Sequence, residues 1–297
     1  MPERGDSVIS EEQIKKVTVE LLKKTVTVMP ADVVDELKAA MKKETDEVPK
    51  MQLKAILDNL ELAEKTTTPL CQDTGVTIFY VSLPRCLDVD VGKAITEGVR
   101  IATKEVPLRP NAVHPLTRKN PGDNVGKGMP WINYKIWDKD FVEITVMTKG
   151  AGSENMSQMA MLTPSQGLKG VKEFVLNVVL KAGSNPCPPT ILGVGIGGSS
   201  DISAKLAKEA LLRPINKRNE DPEIAALENE LKDALNDLGI GVMGLGGKTT
   251  VLGVNIEYAY CHTASLPVAV NVQCWAARRG TAQIYADGKV RYPTHER

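Results

Sequence analysis

Thr190-Ile191-Leu192-Gly193-Val194-Gly195-Ile196-Gly197-Gly198-Ser199-Ser200 is the stretch that decides the fold class. Thr190 to Val194 is apolar and β-branched in character, which predicts a strand, and it enters a glycine turn from Gly195 to Ser200 ahead of a helical segment. The same kind of strand is predicted upstream at Val76 to Leu83 (VTIFYVSL) and at Phe141 to Thr148 (FVEITVMT), and downstream from Thr249 to Ile256. Helical patterns lie between these strands. Thr163-Pro164 supplies a cap and first turn for a helix carrying Leu168, Val171, Val175 and Val178. Another helix carries Ile224, Leu227, Leu231 and Leu235, and Gly239 suits a left-handed C-cap. Helices and strands therefore interleave, and the class is mixed α/β (α+β).

The first 64 residues read as a helical segment. Ser10 followed by Glu11 and Glu12 is a fair N-cap, and Ile14, Val17 and Leu21 keep helical spacing until Met29-Pro30 breaks the run. Val33, Val34, Leu37 and Met41 form a second pattern, and Leu53, Ile56, Leu57 and Leu60 a third. Residues 65–297 are then the α/β region, with the whole chain expected to form one continuous domain. Arg109 to Pro130, rich in Pro, Gly and Asn, is too irregular for an element, and a loop of that length is usually functional or flexible.

Lys plus Arg and Asp plus Glu both number 37, so no nucleic-acid or anionic-membrane partner is advertised. The charged opening Met-Pro-Glu-Arg-Gly-Asp is unlike a signal peptide, and no apolar run is long enough to span a bilayer, which points to a cytoplasmic chain. The cysteines number five, an odd count at wide spacing that fits reduced thiols better than a secreted disulfide framework.

Cys71 (in Pro-Leu-Cys71-Gln72-Asp73-Thr74-Gly75), Cys187 (in Asn185-Pro186-Cys187-Pro188-Pro189) and Cys274 (in Gln273-Cys274-Trp275) do not sit in core-like runs. The first two lie among turn formers, where side chains converge on sites. That placement suggests ligands. Three thiolates would hold an iron-sulfur cube by three corners and leave one iron open as a Lewis acid. Cys86 and Cys261 are assigned structural or incidental roles.

Rival patterns are weighed beside this one. Gly193 to Gly198 satisfies G-x-G-x-x-G, which alone is weak evidence for a dinucleotide and equally describes a tight turn or an anion cradle. Gly244 to Thr249 lacks the spacing of a phosphate loop. A zinc site finds no C-x-x-C pair and only three histidines. Asp73 is either an Asx-turn residue or a proton carrier beside a metal, His262 a half-buried histidine or a site residue, and Arg109 a surface charge or a bidentate carboxylate clamp.

Taken in order, Cys71 to Gly75, Leu108-Arg109, Lys149 to Ser153, Asn185 to Pro189, Gly195 to Gly198 and the run Cys261 to Arg279 resemble the iron-sulfur class I hydro-lyases, specifically the α subunit of a two-subunit fumarate hydratase or L-tartrate dehydratase. The resemblance implies that Cys71, Cys187 and Cys274 hold a [4Fe-4S] cluster. It implies Asp73 and His262 as catalytic residues, with Gln72, Arg109 and the Gly150 and Gly152 backbone against a small dicarboxylate substrate. Single-chain members continue into a further domain that supplies a base and more cationic contacts, so a separate β subunit and a hetero-oligomer are implied. Hydration of fumarate to L-malate is the first expectation, and dehydration of tartrate to oxaloacetate the alternative. From other classes, a nucleotide-binding oxidoreductase rests on Gly193 to Gly198, and a redox or metal-storage scaffold would use the cluster without catalysis.

Overall fold

A computed structural model describes residues 9–106 and 108–296. The opening Met1 to Asp6, read above as unlike a signal peptide, lies outside the described residues. The elements are, in order, α1 (Glu11–Thr27), α2 (Ala31–Lys43), α3 (Glu47–Thr66), β1 (Val76–Pro84), α4 (Val91–Glu105), β2 (Trp131–Trp137) and β3 (Phe141–Lys149). There follow α5 (Ala151–Glu154), β4 (Gln158–Leu162), α6 (Gly167–Ala182), β5 (Thr190–Gly197), α7 (Ser200–Ala210), α8 (Pro222–Asn236), β6 (Val251–Ala259), β7 (Leu266–Gln273), β8 (Arg279–Tyr285) and β9 (Val290–Arg291). The fold is mixed α/β, as the interleaved patterns predict. No helix among the described residues is long and apolar enough to cross a membrane.

The chain divides into two compact units. The first gathers Leu60–Lys149 with the stretches up to Ala31 and from Arg278 onward. Its sheet has the order β2-β1-β3-β8-β9, with β1 parallel to β2 and antiparallel to β3. A parallel pair needs a crossover, and α4 supplies it. Phe79, Val142, Ile144, Val146, Ala282 and Ile284 from this sheet share one core with Ile14 and Leu21 of α1 and Ile95 and Val99 of α4. Helix α1 starts where the N-cap predicts, with Ser10 Oγ accepting from the Gln13 N–H at 3.2 Å, and stops just before Pro30.

Helix α4 has no counterpart among the sequence expectations. Asp90 caps it by accepting from the Lys93 N–H at 2.9 Å, but its buried stripe leans on Ala94, Ala102 and Gly98, which dilute the apolar period. Small residues serve packing here: a Cβ on Gly98 would lie 2.7 Å from Thr18 Cβ, so α1 and α4 approach closely at that point.

The second unit comprises Asp32–Asn59 and Gly150–Ala277. Its sheet runs β4-β7-β5-β6, with β5 parallel to β6 and antiparallel to β7. Val171, Val175 and Val178 of α6, Leu227, Leu231 and Leu235 of α8, and Leu192, Val194, Val254, Ile256, Val268 and Val270 of the sheet form its core. Leu168 departs from expectation: it is 55% exposed, because helix α6 turns the next positions, Val171 and Val175, inward instead.

The glycine-rich segment is strand through Gly197, three residues beyond the predicted end at Val194. A Cβ on Gly193 would meet the Ala207 carbonyl oxygen at 2.0 Å, and one on Gly195 the Ser203 oxygen at 2.0 Å. Both contacts are to α7. The glycines let that helix lie against the strand, which accounts for the G-x-G-x-x-G spacing by packing.

Candidate functional site

In the first unit, Cys71, Gln72 and Asp73 follow α3 in an irregular loop anchored by the Leu70 N–H donating to the Val26 carbonyl at 2.8 Å. Asp73 forms the Asx-turn that its neighbours favour: its Oδ1 accepts from the Gly75 N–H at 3.0 Å. Gly75 has φ +79°, and a Cβ there would stand 2.8 Å from the Lys149 backbone, so the loop is pressed against the end of β3. Arg109 is exposed, and its backbone is fixed to the same loop, its N–H donating to Thr74 Oγ1 at 2.9 Å. The unit therefore brings Asp73 and Arg109 onto one piece of backbone scaffolding.

Two groups in this unit have no counterpart among the sequence expectations. Arg278, only 1% exposed, donates through Nη1 to the Asp73 carbonyl. Asn111 and Asn124 link the Arg109 segment to the Asp73 turn, with Asn111 Nδ2 donating to the Gly75 carbonyl at 3.1 Å and to Asp73 Oδ1 at 3.4 Å. The signals were a charged doublet, Arg278-Arg279, just after Cys274, and two asparagines inside the Arg109 to Pro130 loop.

In the second unit, Cys187 has φ +54°, unusual for a residue with a Cβ. Three backbone hydrogen bonds hold it there: the Cys187 N–H to the Ser184 carbonyl at 3.1 Å, the Trp275 N–H to the Cys187 carbonyl at 3.4 Å, and the Met243 N–H to the Pro188 carbonyl at 2.7 Å. The second of these joins the Cys187 turn to the segment after Cys274, which itself follows β7 directly. Gly150 caps α5, and a Cβ on Gly152 would be 3.5 Å from the Asn185 carbonyl. Cys187, Cys274 and Gly152 thus share one end of the unit. His262 does not join them. It lies before β7, so the eight residues of that strand, about 26 Å at the usual rise, separate it from Cys274. There it lines a groove of about 460 Å³ with Leu168, Leu227, Cys261 and Leu266, its Nδ1 accepting from the Ala264 N–H at 3.1 Å.

No disulfide joins any of the cysteines; Cys71 and Cys274 are half-buried, and Cys86, Cys187 and Cys261 are exposed. Among the described residues, no three His, Cys, Asp or Glu side chains gather in a metal-binding arrangement. Cys71 in the first unit, and Cys187 and Cys274 in the second, are each a reduced thiol on irregular backbone, the kind of soft ligand that iron-sulfur centres take. Cys86 and Cys261 share the exposure of Cys187; Cys261 Sγ donates to the Ser265 carbonyl at 3.2 Å and Cys274 Sγ to the Ala276 carbonyl at 3.7 Å, so these contacts do not separate the two.

The family model described as fumarate hydratase (Fumerase) matches residues 15–283. The chain belongs to this family, and it is a hydro-lyase. It is 50% identical over 285 residues, 94% of this chain and all of the relative, to a Methanocaldococcus jannaschii protein provisionally named L(+)-tartrate dehydratase subunit alpha. It is 40% identical over 264 residues, 88% of this chain and 87% of the relative, to the L(+)-tartrate dehydratase subunit alpha of Escherichia coli K12, and equally to that of Shigella sonnei.

Proposed function

We propose that this chain is the α subunit of a two-subunit L(+)-tartrate dehydratase. The observation that carries the proposal is that relatives spanning nearly its full length bear that name. They favour tartrate over the fumarate expected first; the fumarate hydratase description of the family model supports hydration of fumarate to L-malate as a second reading.

In this proposal Cys71, Cys187 and Cys274 hold a [4Fe-4S] cluster. Such a cluster, when bound, supplies an open iron that acts as a Lewis acid on a substrate oxygen. The chain's own residues bind the substrate and handle the proton. Arg109 offers a planar fork that matches a carboxylate in two hydrogen bonds. Asp73, whose Oδ1 is already fixed by the Gly75 N–H, is the candidate to exchange a proton at the carbon next to the carboxylate. Gln72 and the Gly150 and Gly152 backbone line the substrate. His262 stands at the other end of β7 from Cys274, too far along that strand to touch a small dicarboxylate held at the cluster, so this reading assigns it neither a substrate contact nor a proton step. A β subunit supplies the remaining base and cationic groups, and the assembly works in the cytoplasm.

The test is anaerobic co-expression of this chain with its β-subunit candidate, followed by assays for oxaloacetate from L(+)-tartrate and for malate from fumarate. A kcat/KM at least tenfold higher on tartrate supports the proposal. The reverse ratio selects fumarate, and inactivity on both overturns the proposed substrates.

A further inference from the structure

Asn124 lies within the Arg109 to Pro130 loop, 3% exposed, with a left-handed backbone at φ +60°. Asparagine tolerates that region better than most residues with a Cβ, but at a cost that surrounding contacts must offset. Those contacts use the whole amide. Oδ1 accepts from the Asn111 N–H at 2.7 Å and the Ala112 N–H at 3.2 Å. Nδ2 donates to the Arg109 carbonyl at 2.9 Å and to Thr103 Oγ1 at 3.1 Å. Thr103 is on α4, and its hydroxyl donates to the Val99 carbonyl at 2.7 Å, so the amide is tied to a helix buried in the core.

The peptide units around Arg109 are therefore held from both sides. The N–H of Arg109 is taken by Thr74 Oγ1, next to Asp73, and its carbonyl by Asn124 Nδ2. Asn111, whose own N–H is fixed by Asn124, returns through its side chain to Asp73 Oδ1 and the Gly75 carbonyl. A loop otherwise poor in regular structure thus carries one rigid span, and that span bears Arg109.

We propose that Asn124 is a positioning residue: it sets where the Arg109 guanidinium stands relative to Asp73, and through Arg109 it tunes capture of the substrate carboxylate. This inference rests on the tartrate dehydratase proposal above, in which Arg109 is the clamp. Asn124 itself touches no reacting atom. A displaced Arg109 weakens a contact made to the substrate in its ground state as well as in the transition state, which raises KM more than it lowers kcat.

The test uses the anaerobically prepared complex of the full chain with its β subunit, with L(+)-tartrate and fumarate as probes. Asn124→Asp keeps the acceptor for Asn111 and Ala112 but turns the donor facing the Arg109 carbonyl into a second acceptor. Asn124→Gly keeps the left-handed backbone and loses all the side-chain bonds, which guards against a variant that fails through backbone strain. Both are expected to raise KM roughly five- to tenfold, the equivalent of about one hydrogen bond, with kcat within about twofold. The decisive arm is a double-mutant cycle with Arg109→Lys: once the fork is gone, Asn124→Asp should add less than about twofold to KM. Unchanged KM in both Asn124 variants of an active complex, or full additivity with Arg109→Lys, overturns the inference alone. A wild-type complex inactive on both substrates overturns the tartrate dehydratase proposal and this inference with it.

Discussion

Arg278 donates through Nη1 to the main-chain carbonyl of Asp73, a contact across 205 positions of sequence. The guanidinium is 1% exposed, and its Nε has no hydrogen-bond partner among the described residues. A buried cation is costly unless an anion compensates it. Its placement beside the Cys71 to Gly75 loop fits a site that receives anionic groups.

Removing this charge should therefore harm activity more than stability. Arg278→Gln is expected to leave the thermal midpoint unchanged or slightly raised, since a desolvated charge is gone, while kcat/KM falls roughly tenfold or more. Arg278→Lys should also lose activity, because a point charge replaces the fork. Calorimetry and steady-state kinetics on the same preparations check both. A large drop in midpoint with full activity would assign Arg278 to structure.

The cysteine set makes a sharper prediction. Cys71→Ser, Cys187→Ser and Cys274→Ser should each abolish the brown colour and bound iron of anaerobically purified protein, whereas Cys86→Ser and Cys261→Ser should retain both. Iron and sulfide analysis reads this without an activity assay. Bleaching by Cys261→Ser with retention in Cys274→Ser would reassign the ligands.

At the glycine-rich strand, Gly195→Ala places a methyl 2.0 Å from the Ser203 oxygen and 2.6 Å from the Ala207 nitrogen. Both are backbone atoms of α7, so relief requires moving the helix, at a cost of roughly 3 kcal/mol. Denaturant unfolding should show that loss. Titration of the wild-type chain with NAD should show no saturable binding; saturation would revive a nucleotide role for Gly193 to Gly198.

Acid stability supplies a fourth test. Burial, with the Lys24 and Arg279 charges adding to it, lowers the pKa of His295 from 6.5 to about 4. As pH falls below 6.5, the unfolded chain takes up a proton that folded His295 refuses, so this residue makes stability drop between pH 6.5 and about 4. Thermal unfolding at about pH 7 and about pH 5 should show a smaller loss for His295→Phe than for wild type. An identical loss in both would place the acid sensitivity elsewhere.

Sequence by itself determined the elements whose apolar residues repeat cleanly. Ser10 marked the start of α1, Pro30 bounded its end, and the dense β-branched runs at Val76, Phe141 and Thr190 gave β1, β3 and β5. Order of motifs along the chain also sufficed to recognise the family, because six separated segments in one order are far more specific than any single glycine pattern. Where small residues carry the packing, as in α4, the period was too faint to read, since Ala and Gly contribute little hydrophobic contrast. Only the tertiary structure decided what the glycines of β5 are for, because the need arises from the Ser203 and Ala207 backbone of α7 lying against that strand. It alone set His262 and Cys274 at opposite ends of β7. Arg278 and Asn124 became visible as supports of Asp73 and Arg109 in the same way. Their partners are hydrogen-bonding groups distant in sequence, and such contacts follow from how sheets and loops close in space, which no local pattern encodes.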